Sequence, residues 1–192
     1  MPIIDSHLHF LAGDAALRSL PHALNVKMLN ICIARDGWRM AQAAPYQRQA
    51  ATDPEHFAWC TTFDLPTFDE PHYPSRVISQ LEQDFAAGAV ACKIWKNIGM
   101  ELKNLAGAFV LPDDPLFDPI YAHLAARGWT LLAHIAEPLA CWQPLDSASP
   151  HYGYYKNNPQ WHMFQRTDVP SHETLMAARD HIMAKHPTLR LV

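Results

Sequence analysis

The chain has 192 residues, 49% of them hydrophobic and 18% charged, with 15 Lys+Arg against 19 Asp+Glu for a net charge of −4. This is the balance of a globular protein of single-domain size, and it excludes a disordered tail, a collagen-like chain and a coiled coil. No long basic run points to nucleic acid, and no apolar stretch reaches the length of a membrane span. The start, Met1-Pro2-Ile3-Ile4-Asp5, lacks the basic and apolar runs of a secretion signal.

In chain order, six short apolar runs read as strands: residues 3–10, 27–34, 57–64, 88–95, 129–136 and 189–192. Their continuous apolar character predicts strands covered on both faces. Helices are predicted between them. The first covers 14–24, interrupted by Pro21, and the second covers 37–51. A third covers 74–87, with Val77, Ile78, Leu81 and Phe85 at helical spacing and Gly88 as its stop. A fourth is capped by Asp114 with Pro115 in its first turn and ends at Gly128. A fifth is capped by Ser171, carries Leu175, Ala178 and Ile182 on one stripe, and closes at His186-Pro187. Alternating strands and helices predict a parallel sheet of βα units, with every strand C-terminus on one side. Two loops are long, 66–74 and 137–170. The second is dense in aromatic residues, as lids and binding loops are.

The four cysteines, Cys32, Cys60, Cys92 and Cys141, show no C-x-x-C pairing. They read as reduced, structural thiols of a cytoplasmic protein. The 12 histidines are the unusual feature of the composition. Asp5, His7 and His9 alternate along the first strand, so they share one face, and two imidazoles at that spacing can grip one metal ion. Asp5 could accept the spare N–H of a ligand histidine and fix its tautomer. The plain alternative is a half-buried strand with a polar wet face. His134 interrupts the fifth apolar run near its C-terminal end. It reads either as a hydrogen-bonded core residue or as a third ligand, and three neutral imidazoles with an open position are the pattern of catalytic zinc. Lys93 is an isolated charge in the fourth strand. It could pair with a carboxylate, hold a substrate anion, or be carbamylated to bridge two metals. Glu137 and Asp64 end up beside strand termini and could face the same site or hydrogen-bond locally. Tyr154, Tyr155, Trp161 and Phe164 of the long loop are candidates for an apolar wall or lid over a substrate. His151 and His162 could reach substrate too. His172, His181 and His186 read as surface residues, and His22, His56, His72 and His123 show no partner pattern.

The run Ile3-Ile4-Asp5-Ser6-His7-Leu8-His9-Phe10, the lysine-bearing fourth strand and His134 resemble the amidohydrolase superfamily. The closest likeness is to its amidohydrolase-related branch, which includes metal-dependent decarboxylases of aromatic acids. The block from Lys93 to Met100 and the ending from Arg179 to Pro187 are similar to that branch as well. The resemblance implies a distorted (β/α)8 TIM-like barrel with one or two divalent ions, usually Zn(2+), and His7, His9 and His134 as ligands. It also implies a histidine at the end of the sixth strand and an aspartate at the end of the eighth. The sequence reaches neither. The expectation is therefore an N-terminal fragment, a single incomplete barrel domain over 1–192, with about five βα units and a sixth-strand stub. The expected function is a metal-dependent hydrolase acting through a metal-activated water on a small carbonyl, ester or amide substrate. The alternatives are a decarboxylase of an aromatic or unsaturated acid, or a non-catalytic remnant. The expected partner is a small-molecule substrate, with neither nucleic acid nor membrane involved; self-association through an open sheet edge is a further expectation.

Overall fold

The computed structural model of the chain describes residues 3–9, 15–35, 38–68 and 70–192. The elements run β1 (Ile3–Leu8), α1 (Ala15–Leu24), β2 (Val26–Ile31), α2 (Trp38–Thr52), β3 (Phe57–Thr62), α3 (Tyr73–Ala86) and β4 (Ala89–Ile94). They continue with α4 (Asn97–Met100), α5 (Asp118–Arg127), β5 (Thr130–Ala133), α6 (Tyr152–Asn157), α7 (His172–Lys185) and β6 (Arg190–Leu191). Phe10, Asp14 and Gly37, where the sequence pattern ends or begins an element, lie outside the described residues. No helix among the described residues is long and apolar enough to cross a membrane.

The six strands form one sheet in the order β1-β2-β3-β4-β5-β6, and every neighbouring pair is parallel. Each strand therefore lies beside the next in the chain. That is the winding of a (β/α)8 barrel wall; a doubly wound sheet reverses its order partway. The chain divides into two compact units.

The first unit comprises residues 1–95, 119–133 and 188–192 and holds the whole sheet. One face of the sheet packs Cys32, Trp59 and Ala89 against Ala43 and Tyr46 of α2, with Phe85 of α3 beside them. The other face gathers Ile31, Cys60 and Ala91, with Leu29 and Leu132. The two alanines of β4 thus face opposite ways although two residues apart. The cause is a bulge: Trp59 and Cys60 are consecutive, yet they pair with Ala89 and Ala91, so Val90 is extra and 52% exposed. Gly88 ends α3 at φ +91°, a conformation that costs glycine little.

Three expectations need correction in this unit. Strand β1 is not covered on both faces: Ile3 and Ile4 are 65% and 64% exposed, and β1 is an edge strand of the sheet among the described residues. Pro21 does not interrupt α1, which runs through it, as α2 runs through Pro45. The strands are also shorter than the apolar runs. At the end of β2 the Ile33 N–H leaves the ladder to donate to Gln42 Oε1 at 2.7 Å. Beyond β5, Ala136 sits at φ +64°, a left-handed conformation that no strand holds.

The second unit comprises residues 96–118 and 134–187, the segments that follow β4 and β5. The stretch expected as a loop, 137–170, is instead built from a 3-10 turn at Leu139–Trp142, the helix α6 and a second 3-10 turn at Pro159–Trp161. Two of its aromatic residues, Tyr155 and Trp161, are buried together with Met163 and Cys141, while Tyr154 is exposed. Burial of large rings outweighed the turn-rich local sequence. On α7 the expected stripe of Leu175, Ala178 and Ile182 is buried, and the Ser171 hydroxyl accepts the Thr174 N–H at 3.1 Å as an N-cap. Gly99 sits at φ +100°, where a side chain is strained, and a Cβ there would lie 2.6 Å from Leu175 Cδ2, so any other residue must also push the Leu175 side chain aside.

Candidate functional site

The strand C-terminal end of β1 carries the sharpest geometry. The pairing of β1 with β2 slips between Asp5 and Leu8, which re-aims the side chains in that step. His7 Nε2 and His9 Nε2 lie 3.3 Å apart. Two nitrogens on one tetrahedral zinc, each at about 2.0–2.1 Å from it, are separated by about 3.3–3.4 Å. The other nitrogen of His9, Nδ1, lies 2.8 Å from the carbonyl oxygen of Ile31. That acceptor fixes the proton on Nδ1 and leaves the Nε2 lone pair directed at His7, the tautomer a metal ligand requires. The tautomer-setting partner is therefore a backbone carbonyl. Asp5 instead steadies the main chain, where its Oδ1 accepts the backbone N–H of His7 at 3.1 Å. The donor set fits a borderline-soft divalent ion such as zinc. His134 directly follows β5 and is half-buried.

Lys93 lies on β4, 5% exposed, on the face of Cys60 and Ala91. Among the described residues no carboxylate pairs with it. Burial lowers the pKa of its ammonium, and the Cys60 sulfur acts weakly in the opposite sense. The His7 pKa is also lowered, first by burial and then by the charges of Lys93 and His9, against a smaller opposite effect of Asp5. Lys93 and His7 thus feel each other across β2 and β3, in the sense that favours the neutral imidazole. Asp64 follows β3; its backbone carbonyl accepts the Tyr73 hydroxyl at 2.8 Å. The thiols of Cys60 and Cys92 are pushed up by burial, and these two, with Cys32 and Cys141, are buried and outside any disulfide.

In the second unit a polar cluster forms around Lys96, a residue that the sequence pattern does not single out. Lys96 and Glu137 form a buried ion pair, with side chains 4% and 7% exposed. The ammonium also reaches the Tyr154 hydroxyl at 3.2 Å and lies 3.7 Å from the ring centre of Trp161. Tyr155 donates its hydroxyl to the other Glu137 oxygen at 3.3 Å, and burial raises its pKa. Glu137, Tyr154, Tyr155 and Trp161 are thus brought together by Lys96. His162 holds the Gln143 carbonyl at 3.0 Å, its ring 5.6 Å from Tyr155. The signal available in the sequence was a second lysine beside a tryptophan, too common to stand out.

Three histidines without a pattern in the sequence prove to have partners. His22 and His56 both contact Asp53, and together the three could hold a metal ion. The only local signal was the Asp53/His56 spacing of three. His123 is paired with Glu82. Of those expected on the surface, His181 is exposed, but the side chain of His186 is only 9% exposed and contacts Asp118.

No family model matches the sequence, and no curated protein matches it. Solved structures do match. The 2,6-dihydroxybenzoate decarboxylase from Rhizobium aligns at 16% identity and a TM-score of 0.56, over 95% of this chain and 55% of that one. A structure described as amidohydrolase II aligns at 14% and 0.54, over 98% and 65%. An amidohydrolase from Mycobacterium avium subsp. paratuberculosis K-10 aligns at 14% and 0.52, over 92% and 46%. The chain has the fold of these amidohydrolase-type TIM barrels and spans between 46% and 65% of their length.

Proposed function

We propose that the chain forms the metal-binding part of a metal-dependent hydrolase acting on a small carbonyl, ester or amide substrate, with His7, His9 and His134 as the ligands. The observation that carries this reading is the 3.3 Å convergence of His7 Nε2 and His9 Nε2, with His9 Nδ1 committed to the Ile31 carbonyl. A zinc-type ion, when bound there, supplies Lewis acidity toward a substrate oxygen and toward water. The chain's own residues do the rest. Ile31 orients the His9 ring, Asp5 steadies the His7 backbone, and partial burial with the Lys93 charge favours the neutral form of His7. Lys93 offers a buried ammonium to an anionic substrate group. The compartment is the cytoplasm, and the partner is a small molecule.

Lys93 favours a second reading, decarboxylation of an aromatic acid. A buried cation with no carboxylate partner among the described residues suits a carboxylate from the substrate. Metal analysis of residues 1–192 tests the common premise: one equivalent of zinc should be lost in the His7→Ala, His9→Ala double variant and weakened in His134→Ala. Assays with simple esters, lactones and hydroxybenzoates separate the two chemistries, because only decarboxylation releases CO2. Unchanged zinc content in the double variant overturns both. Zinc bound without turnover on any of these substrates leaves the non-catalytic remnant.

A further inference from the structure

At the opposite end of the sheet, where β2 and β3 begin, lies a second cluster of ligand-type side chains. His22 is in the last turn of α1, Asp53 directly follows α2, and His56 directly precedes β3. His22 Nε2 lies 2.8 Å from Asp53 Oδ2, and His56 Nδ1 lies 3.0 Å from Asp53 Oδ1. The two imidazole rings are 3.9 Å apart between centres and tilted by 44°. One donor atom from each of the three residues lies within 4.8 Å of the others.

A cavity of about 430 Å³ opens beside His22 and Asp53, with Pro45 and Phe57 among its apolar wall and Arg48 and Gln49 among its polar one. Gln49 Oε1 is used by Asn30 at 2.8 Å, but Gln49 Nε2 is buried and has no hydrogen-bond partner among the described residues. An unpaired buried donor costs free energy unless something accepts from it. An oxygen ligand standing in the cavity is such an acceptor, and the Arg48 guanidinium favours that ligand being anionic.

We propose that His22, Asp53 and His56 form a divalent transition-metal site at the N-terminal end of the sheet, with the adjoining cavity supplying its exchangeable coordination positions. Two imidazoles and one carboxylate are a donor set suited to zinc, cobalt, nickel and copper. Each imidazole now contacts its own Asp53 oxygen, and the three donor atoms span up to 4.8 Å; ligand atoms on one tetrahedral ion stand about 3.3 Å apart, so side-chain movement of up to about 1.5 Å converts one state to the other. His22 is the residue free to make that movement, its side chain being 55% exposed. In the metal-bound state each ring keeps one proton, on the nitrogen facing away from Asp53, and any surplus proton goes to solvent.

The site is independent of the one at His7 and His9, so the test starts from residues 1–192 carrying His7→Ala and His9→Ala. Cobalt(II) is titrated into this protein and followed by its visible absorption and by equilibrium dialysis. One equivalent should bind with the intense spectrum of low-coordinate cobalt. Adding His22→Ala should weaken binding by no less than about the 10- to 100-fold that outer-shell changes alone cost. His22 is exposed, so the variant keeps its fold, which circular dichroism verifies. Adding Asp53→Asn, which preserves shape, should weaken it comparably. Absence of stoichiometric binding in the parent protein, or the same affinity after His22→Ala, overturns the proposal.

Discussion

Lys93 and Lys96 stand on either side of the point where β4 ends, and both are nearly inaccessible, 5% and 3% exposed. Their surroundings differ completely. Lys96 has an ion pair with Glu137, a hydroxyl from Tyr154 and the face of Trp161. Lys93 has no carboxylate among the described residues, and burial alone dominates its lowered pKa. A buried charge surrounded by partners belongs to the architecture. A buried charge without a carboxylate is retained against its own desolvation, which is what a binding role requires.

The largest effect expected from breaking this contrast is in Lys96→Met. It strands the Glu137 carboxylate in a buried place and should lower stability by about 3–5 kcal/mol, read from urea unfolding. Lys96→Met with Glu137→Leu should recover most of that loss, since both charges leave together. A smaller calibration in the same unit is Ser171→Ala, which removes the cap of α7 and should cost about 1 kcal/mol.

Lys93→Met should go the other way: the midpoint of unfolding at pH 7 stays level or rises. The pH dependence checks the cause. The folded-state pKa of Lys93 lies below its ordinary 10.5, so the unfolded chain holds the proton more tightly. Wild-type stability therefore rises with pH between the lowered pKa and 10.5, and the advantage of Lys93→Met is complete below that window and gone above it. The smallest stability effect, under about 0.5 kcal/mol, belongs to His7→Ala with His9→Ala, because the pair sits on the exposed strand β1. Its effect on zinc content should be complete for that site. If it destabilises the chain as Lys96→Met does, the pair is architectural after all.

The parallel sheet was legible because each strand is a short apolar run and each helix has its own stop, as at Gly88 and Gly128. The pair His7 and His9 was legible because a strand repeats every two residues. The Lys96 cluster was not, since Glu137, Tyr154, Tyr155 and Trp161 are joined to Lys96 by tertiary packing across about forty to sixty-five residues of chain. The His22, Asp53 and His56 group was hidden for the same reason: α2 folds one end of the group onto the other. The loop expectation for 137–170 failed because proline-rich local sequence says nothing about which aromatic rings will find a common interior.

Strand β4 is read in two phases. Counting by twos from Ala89 leads to Lys93 and would assign both to the helix-packed face, yet Ala91 and Lys93 lie on the other. Val90 is where the count slips. Deleting Val90 would join Ala89 to Ala91 in ordinary alternation and leave Lys93 where it is. Inserting one residue between Ala91 and Lys93 with the bulge kept would instead shift the beat after the slip, and the ammonium would change places with its neighbour. The bulge is a metrical rest: the strand can lose that one syllable and still deliver Lys93 on the stressed side.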